Sequence, residues 1–384
     1  MLPPPTADDL TTDVLVVGGG LVGTATAWRL AQRGLDVTVV TGDLGRAASG
    51  VAAGMLAPVT EAAFTETPLL HLNLAALDRW DGFAGELARA AGTDPGLRRH
   101  PTLSVAATPD DAARLRDLGR WLGAQGQPCQ TLTSRELRSR EPLVAPTVRS
   151  ALLVERDWSC DNRRLWRALR LAAEAAGVRT VPGTVERVEH DDGRVTGVRL
   201  ADGSGWRAGR VVLATGADAG GHDLPFALPV RPVKGQVLRL RAGAEPQLQH
   251  TVRAFSQGFE VYLVPRADGE LVVGATVEDR GFDDRVTAGG VYELLRDARR
   301  VVPVSAEYEL AECRAGWRPA TPDNAPVLGP SPLDGLTLGV GLYRNGVLLT
   351  PLVADVLAGW VAEGVWDERA EPFRLDRFPA DRPS

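Results

Sequence analysis

The residues whose types and spacing point most directly to chemistry are Gly18-Gly19-Gly20-Leu21-Val22-Gly23. An apolar run, Asp13-Val14-Leu15-Val16-Val17, leads into this turn, and a helical stretch with Ala25, Ala27, Leu30 and Ala31 on one face leaves it. After Gly34 comes a second apolar run, Val37-Thr38-Val39-Val40. Strand, glycine turn, helix and strand in that order, within about 30 residues, form the fingerprint of a dinucleotide-binding βαβ unit. Gly18 makes the tight turn, Gly20 lets backbone approach a pyrophosphate, and Gly23 lets helix and sheet pack closely. The helix start then offers unpaired N–H groups and a positive dipole end to the phosphates. The chain is therefore expected to bind a dinucleotide.

The acid that grips a ribose is expected at the end of the second strand, about 20 residues past the turn. Thr41 stands there, and Asp43 follows two residues later. Either the Asp43 carboxylate or, more weakly, the Thr41 hydroxyl serves the ribose. No basic residue sits at that strand end to favour a 2′-phosphate, which argues against NADP.

At 384 residues, 44% of them hydrophobic, the chain has room for two or three domains and a large core. A net charge of −6 argues against nucleic acid or an anionic membrane as partner. No apolar run reaches the length of a bilayer span. The opening Met1-Leu2-Pro3-Pro4-Pro5 lacks the charged and apolar regions of a signal peptide. Cys129, Cys160 and Cys313 are odd in number and far apart, as expected of free thiols in a reducing cytoplasm. Neither they nor the five histidines show metal-ligand spacing. Lys234 is the only lysine among 43 Lys and Arg residues. Compositional bias explains that, with a specific role for Lys234 in Pro232-Val233-Lys234-Gly235-Gln236 as the alternative.

Stepping along the chain, a run of small residues extends from Arg46 to Met55 and lets backbone lie flush on something flat. Residues 69–92 and 109–124 read as helices with a strand at 103–106 between them. A strand at 151–154 precedes a helix over 162–176, with Asp161 as its N-cap. Short strands then alternate with turn signals at Asp192-Gly193 and Asp202-Gly203, leading to Val211-Val212-Leu213 and a second small-residue turn at Gly216. Strands at 236–240, 261–264 and 271–275, a helix at 289–300, a strand near 307–314, one at 336–340 and a helix from 347 to 362 complete the pattern. The alternation predicts an α/β protein: one Rossmann-like domain in three separated pieces with a mixed β-sheet domain inserted. The boundaries fall at 1–75, 155–225 and 318–384 for the nucleotide domain, and at 76–154 and 226–317 for the substrate domain.

The ordered motifs Ala52-Ala53-Gly54-Met55-Leu56-Ala57-Pro58, Pro232-Val233-Lys234-Gly235-Gln236 and Tyr262-Leu263-Val264-Pro265-Arg266 carry a wider likeness. So do Val272–Thr276, Ala315-Gly316-Trp317-Arg318-Pro319, Asn324–Gly329 and Tyr343-Arg344-Asn345-Gly346-Val347-Leu348-Leu349. With the glycine turn, they make the chain resemble the D-amino-acid-oxidase group of flavoproteins over about 13–363, in particular its glycine-oxidising members tied to thiamine biosynthesis. The resemblance implies an FAD domain of glutathione-reductase type, a sheet-based substrate domain, and often a homotetramer.

It further implies the roles of individual residues. Arg318 would clamp the substrate carboxylate, a task suited to a planar bidentate guanidinium. Tyr262 would add a second carboxylate contact through its hydroxyl, and Arg344 would lie near the substrate at the flavin face. Gly18, Gly20, Leu21, Val22 and Gly23 would serve the pyrophosphate turn, with Thr41 and Gly42 at the ribose. Ala47, Ala48, Ala53, Gly54 and Met55 would pack on the ring system, with Val185 near the adenine and Gly216 in the second turn. Leu342, Tyr343, Asn345, Gly346, Val347 and Leu348 would approach the pyrimidine edge. Thr350-Pro351 is expected to start the last helix, with Thr350 as N-cap. Some relatives tether flavin through a cysteine, but alignment puts Gly316, not Cys313, at that position, so FAD is expected to be non-covalent. The implied reaction is oxidation of a small amino acid by O2, with glycine favoured over sarcosine or D-amino acids, and with hand-off of the imine to a thiazole synthase. Val277 lies where the group varies and would favour a small substrate. The competing reading is a flavin subunit or dehydrogenase that does not use oxygen.

Overall fold

The computed structural model describes residues 11–43, 47–256 and 259–379. The opening Met1–Pro5 stretch and Arg46, which starts the small-residue run, lie outside the described residues.

Strand Val14–Val17 is buried on both faces, as a parallel strand covered from two sides must be. Successive side chains point to opposite faces. Val14 and Val16 enter one core, against helices Leu21–Ala31, Asn162–Ala175 and Gly346–Glu363. Leu15 and Val17 enter the other, under the three-stranded sheet Val185–Asp191, Arg194–Leu200 and Gly205–Arg207. The resulting six-stranded sheet has the order Val327–Pro330, Leu336–Val340, Val211–Leu213, Val14–Val17, Val37–Thr41, Arg179–Pro182. Every pairing in it is parallel except the edge hairpin 327–340. This is the Rossmann-like half of the α/β fold expected from the sequence.

A second, eight-stranded mixed sheet has Glu309–Ala320 at one edge and Arg231–Arg241 beside it. These two long antiparallel strands hold register from Arg231 opposite Ala320 to Arg241 opposite Glu309. One face of this sheet packs on helix Ala288–Val301 through Leu238, Leu240, Leu263, Leu271 and Val273. The opposite face turns Val237, Val264 and Val272 toward Val51 and Ala53 of the nucleotide half. Helix Pro109–Ala124, with a capping box at Thr108 and Asp111, covers a further cluster at Phe255.

Four expectations change. The helix over 69–92 is two helices, Thr67–Leu77 and Trp80–Ala91, separated by a turn at Asp78-Arg79, with Leu77 and Trp80 both buried. The second of these, assigned to the substrate side by a boundary at 75/76, packs through Trp80, Phe83 and Leu87 into the core of the parallel sheet. The last helix runs Gly346–Glu363 with Asn345, not Thr350, at its N-cap; Thr350 Oγ1 instead donates back to the Gly346 carbonyl at 2.7 Å. Pro351 lies inside the helix, past its first turn, and takes one N–H out of the intrahelical ladder. That helix is also long and apolar enough to span a bilayer, contrary to the sequence reading, yet 72% of the apolar window is buried inside the protein. Its all-round apolarity is that of a central core helix.

Gly18 has φ +108°, a conformation open to glycine, and a Cβ on Gly23 would overlap the Gly18 carbonyl oxygen. Gly23→Ala should therefore push the helix off the strand at a cost of about 1–3 kcal/mol. The expected outcome is a lower melting temperature together with loss of bound flavin on purification, read by calorimetry and absorbance.

Candidate active site

A cavity of about 1170 Å³ starts at the carboxyl ends of Val14–Val17, Val37–Thr41 and Val211–Leu213 and runs to the face of the eight-stranded sheet. Ligand sites in open α/β sheets sit at this end of the strands. Gly18, Gly20, Leu21, Val22, Thr41, Gly42, Ala47, Ala48, Ala53, Gly54, Met55, Val185 and Gly216 line it. So do Tyr262, Arg318, Leu342, Tyr343, Arg344, Gly346 and Val347. Three anticipated residues do not. Gly23 works in the helix–strand contact, Asn345 stands at the N-cap position without a side-chain cap bond, and the buried Leu348 side chain packs in the core while its carbonyl accepts from Trp80 Nε1 at 2.9 Å.

At the nucleotide end, helix Leu21–Ala31 begins at Gly20 with no side-chain cap of its own. The Leu21 N–H donates instead to Ser49 Oγ at 3.0 Å, so Ser49 stands where an anion would meet the helix dipole. Sequence reasoning missed Ser49 because its partner lies 28 residues away. Thr41 and Asp43 both reach the cavity wall, and Thr41 lies over the turn, where a Cβ on Gly19 would come within 2.7 Å of its hydroxyl. Two further cavity-lining residues carry buried polar atoms with no partner among the described residues, Thr215 Oγ1 and His222 Nε2. His222 Nδ1 lies 3.1 Å from the Val185 carbonyl, beside the expected adenine position. Buried polar atoms seek partners, and two at one end of this cavity suit the hydroxyls and ring nitrogens of an adenosine. The residues present therefore fit FAD. His222 had no motif to announce it.

The middle of the cavity is built from small residues pressed flat from behind. Asn162 donates to the Ser49 carbonyl at 2.7 Å, and the buried Arg266 donates to the carbonyls of Ala53 at 2.6 Å and Cys160 at 3.2 Å. A Cβ on Gly54 would overlap the Cys160 carbonyl. The arginine of the Tyr-Leu-Val-Pro-Arg motif is thus a strut behind the 53–55 segment. Gly316 reaches the cavity on strand Glu309–Ala320; Cys313 does not.

At the far end lie Arg318 and Tyr262. They share a sheet face, because Val233 pairs with Arg318, Gly235 with Gly316, and Tyr262 with Gly274. Two glycines make the room. A Cβ on Gly235 would fall 2.7 Å from Arg318 Cζ, and one on Gly274 would fall 2.5 Å from Tyr262 Cζ. Arg318 Nη1 donates to the Thr276 carbonyl at 3.1 Å, and its charge acts on the Tyr262 phenol. Burial raises the Tyr262 pKa above its ordinary value, with the Arg318 charge pulling the other way. The phenol therefore stays protonated and can donate to a carboxylate. Arg344 is exposed at the cavity edge, its guanidinium 4.9 Å from the Tyr343 ring, and Tyr343 itself has φ +46°. The next residues open helix Gly346–Glu363, whose uncapped N-terminus presents Gly346 and Val347 to the cavity. Glu61, also on the wall, is held by Arg253 at 3.4 Å. Beneath it the fully buried Asp157 accepts from the N–H groups of Val59 at 2.9 Å and Thr60 at 2.7 Å. Among the described residues no group of His, Cys, Asp or Glu is disposed to hold a metal.

Two outcomes follow from this geometry. Gly235→Ala puts a methyl against the flexible end of Arg318, so it should keep fold and flavin yet weaken binding of a small carboxylate about tenfold. That equals one charge-assisted hydrogen bond and is measurable by titration of the flavin spectrum. Burial also pushes Asp157 from 3.8 up to about 6. A folded-state value above the unfolded one means that the folded protein binds this proton more tightly. Asp157 therefore costs stability above about pH 6 and the cost fades as pH falls toward 4. The melting temperature of wild type relative to Asp157→Asn should rise between pH 7 and pH 5; a constant difference would remove this assignment.

Comparison with known proteins agrees with the architecture. Residues 13–360 match the model of the family described as FAD dependent oxidoreductase. The chain is 36% identical over 372 residues to the bifunctional protein ThiO/ThiG of Synechocystis sp., covering 96% of this chain and 54% of that one. It spans about half the length of such bifunctional relatives. It is also 36% identical over 373 residues to a glycine oxidase of Geobacillus kaustophilus, covering 95% of this chain and 97% of that protein. The crystal structure of glycine oxidase from Geobacillus kaustophilus superposes with a TM-score of 0.88 at 34% identity, over 96% of this chain and 99% of that one. That of an iminodiacetate oxidase from Chelativorans sp. does so with a TM-score of 0.85 at 27% identity, over 94% and 98%. The chain belongs to the FAD-dependent oxidoreductase family.

Proposed function

We propose that the protein is an FAD-dependent oxidase of glycine that yields the imine, which hydrolyses to glyoxylate and ammonia, with O2 reduced to hydrogen peroxide. The observation that carries this reading is the pairing of Arg318 and Tyr262 at the far end of a dinucleotide cavity. A glycine zwitterion presents a carboxylate, and a guanidinium beside a protonated phenol is the donor set for it. The relatives named glycine oxidase support the choice of substrate.

FAD, when bound, supplies a two-electron acceptor for the substrate Cα–H. What the chain contributes is placement and field. Arg318 and Tyr262 fix the carboxylate, which orients Cα relative to the ring bed formed by Ala53, Gly54 and Met55. The open N-terminus of helix Gly346–Glu363 offers N–H groups and a positive dipole end, worth about 0.3–1 kcal/mol toward negative charge held there. The substrate amine supplies its own lone pair, so the scheme asks for no protein base. Val277 at the cavity edge limits room beyond Cα. Sarcosine is a further substrate on this reading. ThiO/ThiG relatives join two named activities in one chain, which supports delivery of the imine to a thiazole synthase. Free Cys129, Cys160 and Cys313 suit a reducing, cytoplasmic setting.

A peroxide assay with glycine, sarcosine and D-alanine, paired with anaerobic bleaching of the flavin, tests the reading. Glycine should bleach the flavin without air and give peroxide with it. Failure of both would remove glycine as substrate, whereas bleaching without peroxide would favour a dehydrogenase. Arg318→Ala should keep its yellow colour while KM for glycine rises about 10- to 150-fold, the loss of a hydrogen bond to charge of about 1.5–3 kcal/mol. Steady-state kinetics with flavin-loaded protein checks this.

A further inference from the structure

We propose that Lys234 is a positioning residue: it fastens segment 275–287 as a strap across the strand that bears Arg318, and so fixes the carboxylate clamp. The proposal rests on reading Arg318 as the carboxylate-binding group.

Lys234 is the one lysine in a chain with 43 Lys and Arg residues, and it is fully buried. Its Nζ lies 3.2 Å from Asp283 Oδ2 and 3.4 Å from Glu278 Oε2, both on the strap. Backbone bonds join Lys234 and Glu278 in both directions at 3.0 Å. Gln236 adds further ties, donating its backbone N–H to Thr276 Oγ1 at 2.8 Å and its amide to Glu278 at 2.7 Å and Thr287 Oγ1 at 3.0 Å, and accepting from the Thr287 N–H at 2.8 Å.

Alternation along the strands explains why this matters at the clamp. Lys234 pairs with Trp317, while the next residues along, Gly235 and Arg318, belong to the cavity face. The strap docks on the Lys234 and Trp317 side, where Phe282 meets the Trp317 ring edge-on at 5.3 Å and Trp317 Nε1 donates to the Asp283 carbonyl at 3.2 Å. From there it turns back to offer the Thr276 carbonyl to Arg318 Nη1. One buried charge thus sets the position of the carbonyl that aims the guanidinium.

The site calls for an ammonium. It is compact, with three donors that diverge, and can answer two carboxylates in an enclosed space, whereas a guanidinium is a wide planar fork. Without that cation, Glu278 and Asp283 would be two like charges on one short segment, and the strap would lift toward water.

The test is Lys234→Met, which keeps the volume and removes the charge. With FAD bound, KM for glycine should rise about tenfold or more while kcat stays within about threefold, the signature of lost substrate positioning. Affinity for acetate, read from the flavin spectrum, should fall in parallel. Tryptic cleavage after the exposed Arg280 and Arg285 should accelerate. Adding Glu278→Gln and Asp283→Asn to Lys234→Met should restore acetate affinity in part, because a repulsion is relieved; loss of packing alone would not respond. Should Lys234→Met fold poorly, Asp283→Asn alone should show the same changes at smaller size. Unchanged KM, acetate affinity and cleavage rate in a folded variant would overturn the proposal. If the wild-type protein does not oxidise glycine, the substrate reading falls alone, and the acetate and trypsin measurements still decide the role of Lys234.

Discussion

On the proposed reading, the Arg318 guanidinium awaits a substrate carboxylate, so it must be held by groups other than that carboxylate. On that reading, an acid close to Arg318 would compete with the substrate carboxylate. The hydrogen bond that holds it goes to a neutral oxygen, the Thr276 backbone carbonyl. A neutral acceptor orients a cation without cancelling its charge, so Arg318 keeps its attraction for a carboxylate. Around it the protein places its ion pairs one step removed: Arg253 with Glu61, and Lys234 with Glu278 and Asp283.

Sheet geometry is what allows the arrangement. Two long side chains on one face of a sheet need space that a neighbouring Cβ would normally fill. Gly235 and Gly274 leave that space on the adjoining strands, so the guanidinium and the phenol lie flat across bare backbone. The same strands use their next residues to bury Leu238, Leu240 and Val273 under helix Ala288–Val301. One face builds the pocket while the other supplies its rigidity, a consequence of the twofold period of a strand.

The nucleotide half was legible because its chemistry is local. Phosphate binding by a helix N-terminus needs a turn, a helix and small residues in fixed order, and all of these lie within one βαβ unit. The glycine roles at 18 and 23 follow from that order and recur in the coordinates. Asp161 was readable as an N-cap for the same reason: its two acceptor contacts are to Arg163 and Arg164. Where local rules misled, tertiary packing overrode them. Thr350-Pro351 reads as a helix start, yet Asn345 begins the helix because the preceding turn, tied by the Tyr343 N–H to the Pro319 carbonyl at 2.9 Å, already sets its direction. Residues 69–92 read as one helix, yet the chain turns at Asp78-Arg79 and continues as a second helix.

By itself the sequence determined the parallel strands, the phosphate turn and the flat small-residue bed, and through family resemblance it pointed to Arg318 and Tyr262, which both line the cavity. Those properties depend on residue type and short spacing. Tertiary structure alone decided which groups those residues meet: Ser49 at the helix start, His222 beside Val185, the Thr276 carbonyl on Arg318, and the two glycines beneath the clamp. Each of those partnerships joins segments distant in the chain, and no pattern of neighbours records how strands will be laid side by side.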